Sequence, residues 1–291
     1  MREDRLKTAK RDIVSYFNKT GRHIFTRSEI EQELKQMRAY WHIASETTVD
    51  EFITFLVSNC PFKIHQFAFP TRMETRYTWG EASDFEIVQT LRRNSYFTHF
   101  TAMHLNQLTL HLPQTLYLNY EQLPKPKQQA ALIQSRIDFA FSRPCRASSS
   151  ITEFNGKRVC LLNGQNTEQA GVIDLSYSTG RSLRVTGVER TLIDIAVRPI
   201  YSGGVFAVLE AYQRAANRVS VNRLAAMLTS MEHTYPFHQA IGFYLERSKS
   251  YTESQLGLLE QFERKYNFYL THQIKEKEYS ERWRIFYPKG L

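Results

Sequence analysis

Three helix-length apolar patterns followed at once by two aromatic, β-branched stretches fill roughly the first eighty residues, and nothing else in the sequence restricts the fold as much. Leu6, Ala9, Ile13 and Phe17 recur at i, i+3, i+7 and i+11, which is one face of a helix, and Gly21 offers a stop. Thr26-Arg27-Ser28-Glu29 has capping-box spacing, in which a Thr hydroxyl and a Glu carboxylate satisfy each other's orphan backbone N–H groups; Ile30, Leu34 and Met37 continue its buried face. Thr48-Val49-Asp50-Glu51 repeats the signal ahead of Phe52, Ile53 and Leu56. Phe62 to Phe67 and Thr75 to Trp79 flank a turn near Pro70 and read as paired strands.

Three short helices and a hairpin, in that order, predict a winged helix-turn-helix over 1–80, with the third helix entering the major groove of DNA. Ser45, Thr47 and Thr48 stand at its first turn as candidates for base or phosphate contacts. Arg27, Lys63, Arg72 and Arg76 are the candidate phosphate contacts. The third helix itself is poor in Arg and Lys. Gly80-Glu81-Ala82-Ser83 breaks the pattern and sets the expected boundary to a second domain, 81–291.

That second region reads as mixed α and β, so the fold class expected is α+β. Ser83-Asp84-Phe85-Glu86 opens a short helix; further helices are predicted from Thr98 to Leu108, through Ile133, Ile137 and Phe141, and over 188–197, 204–216, 220–231 and 252–264. Leu116, Leu118 and Tyr120 alternate as in a strand. Asn155-Gly156 predicts a tight hairpin between 151–154 and 158–162. Pro124-Lys125-Pro126-Lys127 reads as a turn or linker, Gly203-Gly204 as a turn, and the aromatic tail of Tyr279, Trp283, Phe286 and Tyr287 as either a closing sheet or a docking patch, with Arg282, Arg284 and Lys289 on a basic outer face.

Charge points to polyanionic partners: the net formal charge is +9. The excess is three in residues 1–80, one in 81–180 and five in 181–291, so the C-terminal third is the most basic. Cys60, Cys145 and Cys160 form no CxxC pair and read as reduced thiols. No apolar run approaches the length of a membrane span, and no apolar stretch follows the charged start, so a cytoplasmic protein is expected. His99 and His104 are five apart, as are His233 and His238, which is the wrong spacing for a metal-binding helix. HExxH, GxSxG and phosphate-binding loop motifs are absent. No metal, cofactor or catalysis is therefore expected; Gln273-Ile274-Lys275 gives only a faint echo of a metal-dependent nuclease.

Two blocks in the second region carry a resemblance. One runs from Ser95 to Thr109, Ser-Tyr-Phe-Thr-His-Phe-Thr-Ala-Met-His-Leu-Asn-Gln-Leu-Thr. The other is Val185-Thr-Gly-Val-Glu-Arg-Thr-Leu-Ile-Asp194, followed by Gly203-Gly204. Behind a winged helix-turn-helix, the chain resembles the AbiEi antitoxins of type IV toxin–antitoxin systems, with Gln107 where that family has a small Gly and Gly187 where Ser is commoner. The resemblance implies a repressor that binds inverted repeats upstream of its own operon and counteracts an AbiEii-like nucleotidyltransferase toxin in abortive infection. Glu189, Arg190, Thr191 and Asp194 are then candidate partner contacts. The residues alone allow a blander reading, a helix start with one Arg190–Asp194 surface ion pair worth under about 1 kcal/mol. An interaction module that neutralises a partner without touching DNA is the alternative function.

Overall fold

Alternating and helical apolar patterns resolve into a mixed α+β fold in the computed structural model, which describes residues 2–124, 131–177 and 180–291. The expected linker at Lys125–Lys127 lies outside the described residues. The chain divides into two compact units, Met1–Leu91 with Ile151–Gly156, and Arg92–Ser150 with Lys157–Leu291.

In the first unit, α1 (Arg2–Lys19), β1 (Ile24–Phe25), α2 (Arg27–Met37), α3 (Val49–Asn59), β2 (Phe62–Phe69), β3 (Arg72–Trp79) and α4 (Asp84–Gln89) follow one another. The capping boxes form as the sequence demands: Thr26, Thr48 and Ser83 each accept from the third helical N–H while Glu29, Glu51 and Glu86 reach back. β1 pairs with β3 (Ile24 opposite Thr78) and β3 with β2 along its whole length, giving an antiparallel sheet in the order β1–β3–β2. Its core is aromatic. Phe17 stacks on Trp79 at 4.8 Å and meets Phe25 edge-on at 5.5 Å, while Trp41 stacks on Phe52 at 5.8 Å. The Trp79 indole N–H donates to Asn18 at 2.8 Å, so the ring is fixed at both ends.

The expected boundary at residue 80 falls short of this unit. Phe154 lies 4.5 Å from Phe67, and Asn155 donates to Asp84 at 2.8 Å, so 151–156 joins β2 and α4 by burial and hydrogen bonding. Sequence proximity to the second domain gave no sign of this.

The second unit continues with β4 (Tyr96–Phe97), α5 (His99–Leu105), β5 (Thr115–Glu121) and α6 (Gln134–Ser142). β6 (Ile151–Phe154) belongs to the first unit and is followed by β7 (Lys157–Gly164), β8 (Val172–Ser176) and β9 (Ser182–Thr186). The predicted turn between β6 and β7 is present, with Asn155 and Gly156 at φ 47° and 74°, as a two-residue type I′ connection requires. Within the second unit the strands lie in the order β7–β5–β4–β9–β8, with β5–β7 and β4–β9 parallel. α7 (Val188–Val197), α8 (Val205–Ala215), α9 (Val221–Met231), α10 (Phe237–Arg247) and α11 (Glu253–Glu260) build one helical core with Met103 of α5, Ile137 and Phe141 of α6, and Phe268, Trp283 and Ile285 of the tail. Gly203 and Gly204, at φ 83° and 88°, turn the chain into α8.

The tail is the closing sheet, β10 (Phe268–Tyr269), β11 (Lys277–Ser280) and β12 (Ile285–Pro288), in the order β10–β12–β11. Trp283 is fully buried beside it. The expected basic outer face is not free: Arg282 is held by Glu246 at 2.9 Å, Glu253 at 2.6 Å and Glu260 at 2.9 Å. No described helix is long and apolar enough to cross a membrane.

Candidate functional site

The two sequence blocks, about ninety residues apart, are brought together inside the second unit. β4 lies parallel to β9 with Phe97 opposite Val185, so the helices that follow each strand, α5 and α7, leave the same edge of the sheet. Thr98 then donates its hydroxyl to Asp194 Oδ2 at 2.7 Å, which is why this N-cap residue makes no cap hydrogen bond of its own. Asn106 donates to the Thr186 carbonyl at 2.8 Å and to the Thr191 hydroxyl at 3.3 Å. Thr191 in turn donates to the Thr186 carbonyl at 2.9 Å. The blocks interlock.

Arg190 is the hub of the second block. It is buried, and donates to Asp194 Oδ1 at 2.8 Å, to the Thr167 hydroxyl at 2.9 Å and to the Ala170 carbonyl at 2.7 Å. Burial opposes its charge, but Asp194 and Glu121 hold its pKa above the usual arginine value. Glu121 accepts from Tyr96 at 2.9 Å and from the Thr167 backbone at 3.1 Å. Glu189 accepts from the Ser220 N–H at 3.0 Å and pairs with Arg223 at 2.7 Å.

The surface ion pair expected at Arg190–Asp194 is therefore a buried one. Thr191 and most of Arg190 and Asp194 are withdrawn from any protein partner, because their hydrogen bonds are spent inside the unit. Gln107 turns out to sit at φ 59°, the left-handed region where glycine is at ease.

Arg190 and Asp194 do reach one open space, a cavity of about 640 Å³ within the second unit. Its wall is arginine-rich: Arg143, Arg146, Arg190 and Arg198 line it, against the single carboxylate of Asp194. His99, His233 and His272 belong to the polar lining, and Phe141, Tyr235 and Phe237 to the aromatic part of the wall. One Arg198 N–H donates to Cys145 Sγ at 3.1 Å. The Cys145 thiol is pulled below its usual range, first by a hydrogen bond with His272 and, against burial, by the Arg198 charge. His272 Nδ1 donates to the carbonyls of Ala140 and Arg143 at 3.2 and 3.1 Å, and its ring stacks on Phe141 at 4.4 Å.

His99 is the strained member. It adopts φ 53°, is buried, and its Nδ1 has no hydrogen-bond partner; the same is true of His233 Nε2. Burial lowers the pKa of His99 to about 4, and that of His238, outside the cavity, to about 4 as well. Both are neutral in the fold at neutral pH, whereas the unfolded imidazole takes up its proton near pH 6.5. Their stabilisation is complete above about pH 6.5 and is lost as pH falls toward 4. Thermal melts of the second unit should drop steeply between pH 7 and 5. His99→Asn, which tolerates the same backbone, should remove on the order of 2 kcal/mol of that loss at pH 5. A melt with the same acid slope in both proteins contradicts the assignment.

The first-unit candidates are dispersed by their pairing. Arg27 makes a forked pair with Asp50, at 3.0 and 3.1 Å, and so ties α2 to α3. Thr48 is spent on its capping box, and Ser45 donates to Glu46 at 2.7 Å. Thr47 is buried with an unpartnered hydroxyl, in a cleft of about 360 Å³ that it shares with Lys35, Arg38 and the start of α3. Lys63 pairs with Glu81 at 2.7 Å, both largely exposed, and Arg72 at the hairpin tip pairs with Glu74 at 2.6 Å. Arg76 is a correction: it is buried, donating to the Thr90 carbonyl at 2.9 Å and hydroxyl at 3.1 Å, and it braces α4 rather than facing solvent.

Several residues of note escaped the sequence reading. Arg143, Arg146 and Arg198 gather only through the fold, although the close pair Arg143 and Arg146 was a visible signal. Lys35 is exposed on α2 at the mouth of the α2–α3 cleft, and no ion pair engages it among the described residues. Lys275, the one residue singled out for a nuclease, is exposed, and among the described residues no group of three or more His, Cys, Asp or Glu is placed to hold a metal ion.

No protein-family model and no curated protein matches the chain. Among solved structures it is similar to the Rv2827c protein from Mycobacterium tuberculosis, at 14% sequence identity and a TM-score of 0.61, over 98% of this chain and 91% of that one. A likeness at that identity concerns the fold alone.

Proposed function

We propose that this chain is a DNA-binding repressor that reads its operator through a winged helix-turn-helix in the first unit and serves as the antitoxin of a toxin–antitoxin pair. The observation that carries the DNA-binding half is the order α1–β1–α2–α3–β2–β3, with the three strands paired as β1–β3–β2. In a winged helix, that order presents α3 to the major groove and the β2–β3 hairpin to the flanking backbone. Thr54 and Ser58 are exposed on α3 and offer hydroxyls to base edges, since Asp50 and Glu51 are engaged at its start. Lys35, Lys63 and Arg72 supply the phosphate contacts. Two of them sit in ion pairs, Lys63 with the exposed Glu81 and Arg72 with the mostly buried Glu74, and both basic side chains are themselves exposed to a phosphate.

The antitoxin half rests on the AbiEi resemblance, whose two blocks are bonded to each other in the second unit. Because those residues are committed internally, toxin neutralisation runs through the surface of that unit rather than through Thr191 or Asp194.

A gel shift with the full chain on DNA from upstream of its own gene tests the first half. Lys35→Ala with Arg72→Ala should weaken binding to every sequence and flatten the salt dependence by about two charges, whereas Arg76→Ala should leave that slope unchanged. No shift on any upstream fragment at low salt sinks the proposal. For the second half, co-expression with a neighbouring nucleotidyltransferase gene should restore growth; continued toxicity removes the antitoxin role.

A further inference from the structure

We propose that the arginine-lined cavity of the second unit binds a small phosphate-bearing ligand of nucleotide size. The inference does not depend on the repressor and antitoxin reading. Its volume, about 640 Å³, is that of a small-molecule site. Its charge is unbalanced: Asp194, the one carboxylate in the wall, is already paired with Arg190. Arg143, Arg146 and Arg198 have no carboxylate within ion-pair distance among the described residues; Arg143 lies over the Phe139 ring at 4.1 Å and Arg198 donates to Cys145 Sγ, so three guanidinium groups share one wall without a carboxylate to balance them. A guanidinium presents a planar fork of donors that suits phosphate oxygens.

Two further features indicate an occupant rather than a solvated groove. His99 is nine-tenths buried, strained at φ 53°, and has an unpartnered Nδ1; His233 contributes a second buried, unpartnered nitrogen. Both residues line the cavity, and unsatisfied buried polar groups and backbone strain each concentrate at functional sites. Aromatic faces complete the arrangement. Tyr235 and Phe237, both partly exposed, border the cavity beside the buried Phe141, whose ring is already stacked on His272 and Tyr269, so a flat base meets the first two while its phosphate meets the arginines.

Isothermal titration of the full chain with inorganic phosphate and with each of the four ribonucleoside 5′-monophosphates tests this. At least one mononucleotide should saturate a single site at least tenfold more tightly than inorganic phosphate does. Arg198→Gln should weaken it about tenfold or more, as expected for loss of a charge-assisted hydrogen bond. Arg143→Ala with Arg146→Ala, two exposed positions whose loss leaves folding intact, should do the same. Three outcomes overturn the proposal: no saturable binding of any probe up to about 10 mM, equal affinity for inorganic phosphate and the nucleotides, or mononucleotide affinity unchanged in the Arg143/Arg146 double variant.

Discussion

Arg190→Met should destabilise the second unit by about 3–5 kcal/mol, because it leaves the Asp194 carboxylate buried without its counter-charge. The loss has three parts in the structure. Asp194 Oδ1 loses its 2.8 Å partner, and the Thr167 hydroxyl and Ala170 carbonyl lose their donors. Thr98 still donates to Asp194 Oδ2, but one hydroxyl cannot neutralise a charge. Adding Asp194→Leu should return part of the stability, since exchanging a buried pair for apolar groups of similar volume is often neutral or better. Hydrogen exchange read peptide by peptide separates the units: protection should fall in α7, α5 and β9, and remain in α1 to α3. A single variant costing under 1 kcal/mol would mean that the pair behaves as an exposed one.

Gly242→Ala in the middle of α10 carries the second large effect, and its sign runs against helix propensity. On propensity alone Ala should gain about 1 kcal/mol over Gly inside a helix. Here an added Cβ meets Trp283 ring carbons at 2.1, 2.4 and 2.5 Å. The indole cannot retreat. It is fully buried, and its N–H donates to Glu246 at 2.9 Å, one turn along the same helix. Overpacking of this kind costs more than propensity returns, so a net loss of about 2 kcal/mol or more is expected by urea denaturation. A stabilised Gly242→Ala protein would mean that the tail does not pack on α10 as described.

That same contact explains what the sequence concealed. α10 is not legible in the sequence because Gly242 interrupts it, which counts against a helix until the Trp283 ring is seen to occupy the space of the missing Cβ. Features set by neighbours in the chain were legible: the capping boxes at Thr26, Thr48 and Ser83, α7 over its full length, and the Asn155-Gly156 turn. β1 and β4, two residues each, are too short to leave a pattern.

Pairing and burial that cross elements left no mark in the sequence. Arg76 reads as one of the basic residues of the hairpin, yet its partner Thr90 lies beyond β3, at the end of α4. The Arg190–Asp194 pair was readable from its spacing, but its burial was not, since burial is supplied by Tyr96, Thr98, Thr167 and Glu121 from other segments. The cavity arginines come from α7, from the residue that caps its end and from the stretch after α6, and only the fold makes them neighbours.

Fluorescence anisotropy of the full chain on its own upstream DNA, against a shuffled duplex of equal length across a salt series, addresses the central claim most directly. A sequence-reading winged helix predicts tighter binding to the upstream DNA by at least about 10³ at physiological salt, with log affinity falling linearly in log salt for both. Equal affinity for the two duplexes at every salt concentration, or none for either, would contradict it.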